Sequence, residues 1–129
     1  MEPALKTHSP ADRQAVALKA FGRIALSWKL TLQEAAHLAD MSESSWKRAK
    51  RQDFAGTLTR DQMLRLSALV GVYKSLELYF SPPLSSQWVK LANNGSEFDG
   101  QRPLDAMIAG GLPKILRVRT YLDALRGGM

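Results

Sequence analysis

The chain has 129 residues, of which 45% are hydrophobic, and this balance suits a compact unit or two small lobes that share a core. It contains no cysteine, which excludes disulfides and thiolate metal sites and favours a reducing compartment. Residues 1–14 lack the apolar core of a signal peptide, and no uninterrupted apolar run approaches the roughly 20 residues that span a bilayer. We therefore expect a cytoplasmic protein with no membrane association.

The formal net charge is +6, and most of the excess lies in the N-terminal part of the chain. Residues 1–75 carry 12 Lys and Arg against 7 Asp and Glu, whereas residues 76–129 carry 6 against 5. A basic segment that meets a polyanion gains free energy from the release of counterions. The asymmetry therefore favours nucleic-acid binding by the N-terminal part and leaves the C-terminal part to another function.

The first predicted element is a helix that begins at Asp12, after a polar, proline-containing segment 1–12 that we expect to be a flexible arm. Apolar residues recur in this helix at three- and four-residue intervals, which places them on one buried stripe. They are Ala17, Phe21, Ile24 and Trp28.

The next segment, LQEAAHLADMSESSWKRAKR, predicts two short helices joined by a tight turn. Thr31 and Glu34 form a T-x-x-E capping box, which starts the first helix. Ala36 is small enough to let the two helices cross closely. Asp40 falls where the chain leaves the first helix with a positive φ, a position at which glycine is usual. Ser42 then caps the second helix, so the segment is typical of a helix-turn-helix.

The second helix of this motif is expected to bury Trp46 and Ala49 and to expose a basic face. Exposed positions at i, i+3, i+4 and i+7 share one side of a helix, where they would meet phosphates and base edges. A solvated surface is the alternative, but two caps, a small crossing residue and a cluster of cations together favour DNA recognition. With a glutamine from the first helix, the candidate DNA-binding residues are Gln33, Ser44, Lys47, Arg48 and Arg51.

The Ser-Pro-Pro turn at 81–83 divides the chain into a DNA-binding region, residues 13–80, and a second lobe, residues 84–129. A capping box at Thr59 begins another helix before this turn, and Gly71 is expected to interrupt or bend it, so that a further helix follows.

The second lobe is predicted to contain a short helix around Trp88, then the turn-rich loop NNGSEFDGQ. Pro103 suits the first turn of a helix that Gly110 and Gly111 close, and Pro113 begins the last helix. Apolar residues recur in this last helix at heptad-like spacing, at Ile115, Val118, Leu122 and Leu125. No strand pattern competes, so we predict an all-α fold.

Ordered motifs along residues 15–129 resemble the Xre/MbcA/ParS antitoxins of bacterial toxin–antitoxin operons. The motifs are WKRAKR, LTRDQMLRLSALVGVYKSLELYF, a tryptophan followed by NNGSEFDGQRPLDAMIAGGL, and VRTYLDALRGG. The resemblance implies an all-helical antitoxin with an Xre-like helix-turn-helix lobe and a small C-terminal toxin-binding lobe. Asp40 in place of the usual turn glycine and a short N-terminal arm are departures from the pattern.

The resemblance also implies a partner, a RES-type toxin that consumes NAD by degrading it or by using it for ADP-ribosylation. The antitoxin would cover the entrance of the toxin's active site, and the pair would repress its own operon. A homodimer that reads an inverted repeat in the operator DNA is expected, because two-fold symmetry in the protein requires matching symmetry in the site.

The final helix carries the candidate toxin-binding residues. Arginines offer bidentate donors to an acidic partner, and a tyrosine adds an aromatic face. NAD carries phosphates whereas this helix is positive, so inhibition is expected from occlusion or from pairing with acidic residues of the toxin. The candidates are Arg117, Arg119, Tyr121 and Arg126, with solvated surface as the alternative for the arginines. Trp88 and Phe98 are predicted to be core residues.

An enzyme is disfavoured, and neither a cofactor nor a metal site is expected. His8 and His37 have no second ligand at metal spacing, and no glycine-rich phosphate loop follows a strand. Asp99 and Asp105 could be considered as an acid/base pair, but each has a simpler role. Asp99 suits a turn, and Asp105 suits a helix N-terminus. The other alternative is a stand-alone helix-turn-helix regulator whose C-terminal lobe dimerises or senses a ligand. A neighbouring gene for a RES-type toxin would favour the antitoxin.

Overall fold

The computed structural model describes residues 9–127, apart from the side chain of Arg126. Within this part the chain forms six α-helices, a single 3-10 turn at Trp88–Lys90 and no strand, so the predicted all-α fold is confirmed. None of the described helices is long and apolar enough to cross a membrane. The helices are α1 (Pro10–Ser27), α2 (Leu32–Ala39), α3 (Glu43–Lys50), α4 (Arg60–Tyr79), α5 (Leu84–Gln87) and α6 (Pro103–Arg126).

Helix α1 begins two residues before the predicted start, because Ser9 caps it and Pro10 occupies its first turn. The Ser9 hydroxyl accepts a hydrogen bond from the Asp12 backbone N–H at 3.1 Å, and the Asp12 carboxylate accepts one from the Ser9 N–H at 3.3 Å. Proline suits this position because it has no N–H to satisfy and its φ is already helical. The end of the predicted arm is therefore helical, and residues 1–8 lie outside the described residues.

The predicted helix-turn-helix is formed by α2 and α3. Thr31 and Glu34 make the expected capping box, with hydrogen bonds of 2.9 and 3.0 Å between each side chain and the other residue's backbone N–H. Asp40 ends α2 in the left-handed conformation, with φ 57° and ψ 47°. The Ser42 hydroxyl accepts a hydrogen bond from the Ser45 N–H at 3.1 Å and so begins α3. Ala36 is fully buried in α2.

The apolar stripe of α1 packs beneath this motif, as predicted. Phe21, Ile24 and Trp28 are buried, and Ala17 is half-buried at the edge of the same core. The rings of Phe21 and Trp46 lie 5.0 Å apart between centroids, which fixes α3 against α1.

Helix α4 is a single helix of 20 residues, and the predicted interruption at Gly71 is wrong. One glycine in a helix interior costs only about 1 kcal/mol relative to alanine. Leu69 and Val72, on either side of it, are fully buried, and α4 packs against both α1 and α6. Tertiary packing therefore outweighs the local preference.

Helix α6 is interrupted at Gly111, as the sequence predicted. Gly111 has φ 64° and ψ −154°, a conformation that is open only to glycine, and Pro113 follows in the next turn. The break divides α6 into an N-terminal segment, residues 103–110, and a C-terminal segment, residues 112–126. A β-carbon at Gly111 would also lie 3.1 Å from a terminal nitrogen of Arg65. The direction of the C-terminal segment therefore depends on this glycine.

We expect Asp40→Gly to raise the free energy of unfolding by about 0.5 kcal/mol. Glycine removes the steric cost of the left-handed conformation, and its greater entropy in the unfolded chain offsets part of that gain. Chemical denaturation measures the change. Ser67→Gly, at an exposed interior position of α4, is the control and should lower stability by about 0.5 kcal/mol. A loss of stability in Asp40→Gly would contradict the assigned turn geometry.

Candidate DNA-binding and toxin-binding surfaces

The predicted DNA-binding residues all lie on the surface of the helix-turn-helix. Trp46 and Ala49 turn α3 towards the core, which leaves the opposite face of the helix in solvent. Each of the five candidates is exposed: Gln33 on α2, Ser44, Lys47 and Arg48 on α3, and Arg51 at its C-terminal end.

The exposed face of α3 is cationic. Lys47 and Arg48 make no ion pair with any described residue, so both charges face solvent. Arg51 lies 3.9 Å from the Asp53 carboxylate, a separation at which an exposed pair contributes little. An unpaired cationic helix face of this kind is suited to phosphate contacts.

The start of α2 is held by residues from the C-terminal part of the chain. The Glu34 carboxylate, which belongs to the capping box, lies 3.6 Å from an Arg102 terminal nitrogen and 3.9 Å from Lys90 Nζ. Lys90 also donates a hydrogen bond to the Lys29 carbonyl, just before α2. These contacts attach the helix-turn-helix to the segment that precedes α6.

Arg102 and Asp105 form a bidentate pair at the start of α6, with N–O distances of 2.8 and 2.9 Å. The hydrogen bonds from Arg102 lower the pKa of Asp105 below its ordinary value, and the same bonds raise the pKa of Arg102. Both side chains are more than a third exposed, so the pair adds only a small amount of stability. That contribution is present above the ordinary pKa of an aspartate and is lost as the pH falls through the lowered value.

Helices α4 and α6 meet at two successive turns. The Arg119 side chain lies across α4 at Gly71, where a β-carbon would stand 2.5 Å from the guanidinium carbon. One turn further along both helices, the buried Ser75 hydroxyl donates a hydrogen bond to the Asp123 carboxylate at 2.8 Å. These contacts were not predicted from the sequence. The matching four-residue steps from Gly71 to Ser75 and from Arg119 to Asp123 were the available signal.

The three predicted toxin-binding residues whose side chains the structure describes lie on two sides of the C-terminal segment of α6. Arg117 is exposed, and Tyr121 is half-buried, with its ring 5.3 Å from that of Phe98 in an edge-to-face contact. Arg119 is exposed but faces α4. Arg126 is the last residue of α6, and its side chain lies outside the described part. Trp88 and Phe98 are buried, as predicted.

A groove of about 300 Å³ runs beside Arg117 and Tyr121. We call it the α6 groove. It is lined by these two residues together with Glu97, Leu116, Thr120 and Ala124. Sequence analysis did not single out Leu116 or Glu97. The i+4 row of Leu116, Thr120 and Ala124 was a weak signal, because only the fold places Glu97 from a distant loop beside it.

No metal site is evident among residues 9–127. No group of three or more histidine, aspartate or glutamate side chains in this range is arranged to hold a metal ion.

We expect Ser75→Ala to lower the free energy of unfolding by about 1 kcal/mol. The substitution removes a partly buried hydrogen bond to a carboxylate, and the better helix propensity of alanine offsets some of that loss. Thermal or urea unfolding measures the change, with Ser67→Ala on the exposed face of α4 as the control. If both variants had equal stability, the Ser75–Asp123 bond would contribute nothing to the packing of α4 on α6.

Comparison with known proteins gives two family matches. Residues 8–71 match the antitoxin Xre-like helix-turn-helix domain, and residues 75–128 match the antitoxin Xre/MbcA/ParS C-terminal toxin-binding domain. An uncharacterized protein of Sinorhizobium fredii (strain NBRC 101917 / NGR234), y4oB, is 36% identical over 125 residues, which are 93% of this chain and 92% of that protein. No solved structure gives a significant match. The chain belongs to the Xre/MbcA/ParS antitoxin family, and its partner is a cognate toxin.

Proposed function

We propose that this antitoxin neutralises a RES-type, NAD-consuming toxin by covering its active site and that, with the toxin, it represses its own operon. Family membership supports the antitoxin role. The observation that carries the proposal is the presence of two separate surfaces, the cationic face of α3 and the outer face of the C-terminal segment of α6. Each is free to bind a different partner.

For DNA, we propose that residues 13–80 bind the operator as one half of a homodimer. Helix α3 would enter the major groove, where Ser44, Lys47, Arg48 and Arg51 meet base edges and phosphates. Gln33, in the first turn of α2, would contact the phosphate backbone. The exposure of all five residues supports this assignment.

For the toxin, we propose that residues 84–129 supply the inhibitory surface, with Arg117, Arg119, Tyr121 and Arg126 as contacts. Positive side chains cannot imitate the phosphates of NAD. Inhibition would therefore come from occlusion and from pairing with acidic residues of the toxin.

Co-expression with the protein encoded by the neighbouring gene tests the proposal. The expected result is a stoichiometric complex together with cellular NAD levels restored to those of cells without the toxin. Failure of the two folded proteins to co-purify would contradict it. Operator binding without a toxin partner would instead support a stand-alone transcription regulator.

We expect the Lys47→Glu/Arg48→Glu double variant to abolish operator binding at moderate salt and to keep the toxin complex. At lower salt, where the variant still binds, log K of the wild type should fall with log salt more steeply than that of the variant, by a difference in slope of about 2, because two phosphate contacts are lost. Fluorescence anisotropy over a salt series measures this.

The matched control for this variant is Lys19→Glu/Arg23→Glu, which reverses two exposed charges on α1. An equal loss of DNA binding in the control would mean that net charge, and not the α3 face, determines affinity. Survival of binding in the α3 variant would show that the recognition helix is misassigned.

We expect Arg119→Ala/Arg126→Ala to weaken toxin inhibition, since removing an arginine from a desolvated contact costs about 2–5 kcal/mol. Toxin activity titrated with antitoxin measures the loss. Arg119 also contacts α4, so circular dichroism must show that the variant is folded. Arg23→Ala/Arg60→Ala, two exposed arginines outside α6, is the control. Full inhibition by the folded α6 variant would show that Arg119 and Arg126 do not contact the toxin and are solvated surface residues.

A further inference from the structure

We infer that the α6 groove is the docking site for an apolar side chain of the toxin that is flanked by a carboxylate. The inference rests on the proposed function, because it assumes that the toxin binds the C-terminal segment of α6. It adds a location and a chemistry to that binding, at residues that the arginine candidates alone did not indicate.

The groove is lined by apolar groups that the core leaves exposed. Ile115, Val118 and Leu122 are fully buried on the inner face of the segment. Leu116, on the outer face, keeps 46% of its surface exposed although it is a large aliphatic residue. Ala124 lies two turns further along the same face. This row offers an apolar surface to a partner side chain.

The opposite wall of the groove is held in place before any partner arrives. The loop at 93–101 closes on itself, with the Asn93 N–H donating to the Gln101 carbonyl at 3.1 Å and the Gly100 N–H donating to the Asn93 carbonyl at 2.9 Å. Lys114 Nζ donates to the Glu97 carbonyl at 3.0 Å. A preformed site loses less conformational entropy on binding.

Aromatic packing fixes the floor of the groove. The Tyr121 ring contacts Phe98, which in turn lies 5.5 Å from Trp88 between ring centroids. The Tyr121 hydroxyl lies so close to Gly95 that a β-carbon there would stand 2.6 Å from it. The tyrosine therefore presents one fixed edge to the groove.

The charges on the rim of the α6 groove favour an acidic residue of the toxin next to its apolar side chain. Glu97 is the acidic residue of the lining, and Lys114 neutralises it at 3.1 Å. Arg117, on the same rim, makes no ion pair with any described residue. The groove therefore carries a net positive charge, which complements a carboxylate placed beside an apolar anchor.

A second copy of this chain is a poorer occupant than the toxin. The rim of the groove is itself positive, so the same face of a second copy would place like charges together, whereas an acidic segment of a partner is attracted. We therefore assign the groove to the toxin and keep self-association as an outcome of the test.

The test measures binding of the purified product of the neighbouring gene to the full-length antitoxin by calorimetry. Leu116→Asp places a charge in the apolar row and should raise Kd by roughly 30-fold or more, as expected for a buried anchor. Ala124→Glu should act in the same direction. Arg117→Glu should raise Kd and flatten its dependence on salt.

The matched control is Leu64→Asp, because Leu64 is 43% exposed on α4 and Leu116 is 46% exposed. The Kd of Leu64→Asp for the toxin should stay within about twofold of the wild-type value. Light scattering of each variant without the toxin reports its oligomeric state.

The outcomes separate the inference from the proposed function. If the wild type does not bind the toxin, both fail. If the wild type binds and the groove variants bind equally well, the groove inference fails while the proposed function stands. If Leu116→Asp changes the mass of the free antitoxin and leaves toxin affinity unchanged, a second copy occupies the groove and the inference is overturned.

Discussion

The close packing of α4 against α6 is the constraint on which the rest of the structure depends. Helix α4 buries Leu66 and Leu69, and further on Val72 and Leu76, so apolar residues along most of its length are removed from solvent. Full burial of one such side chain is worth about 1.5–3 kcal/mol. Gly71 lets Arg119 lie directly on the α4 backbone. Because α4 also packs on α1, the helix-turn-helix domain and the C-terminal toxin-binding domain share one core.

The polar contacts at the start of α2 strengthen the same connection. Glu34 satisfies a backbone donor of α2 and also attracts Lys90 and Arg102 from the C-terminal part. One carboxylate therefore shapes the helix-turn-helix locally and positions it relative to α6. The orientation of α3 follows from that of α2, since the two helices are joined by a tight turn around Asp40. The two candidate surfaces are thus fixed relative to each other without a long linker.

Local signals predicted most of the fold, and contacts between distant residues explain what they missed. The caps at Thr31 and Ser42 and the break at Gly111 each depend on a few neighbouring residues, so the sequence was sufficient. The interruption predicted at Gly71 was wrong, because this glycine allows α6 to approach α4 closely and does not break α4. Of the candidate site, the sequence named exposed residues such as Lys47 and Arg117, whose partners stay predictions. The groove at Leu116 was missed because its wall comes from a distant loop.

The break at Gly111 divides α6 into two segments with different surroundings. The N-terminal segment of α6 lies against α2, where Ile108 and Ala36 line one small cavity, so its residues are constrained by the fold. Beyond the glycine, Leu116, Arg117 and Thr120 on the outer face of the C-terminal segment are exposed. Substitutions at these exposed positions are therefore expected to leave the rest of the fold intact.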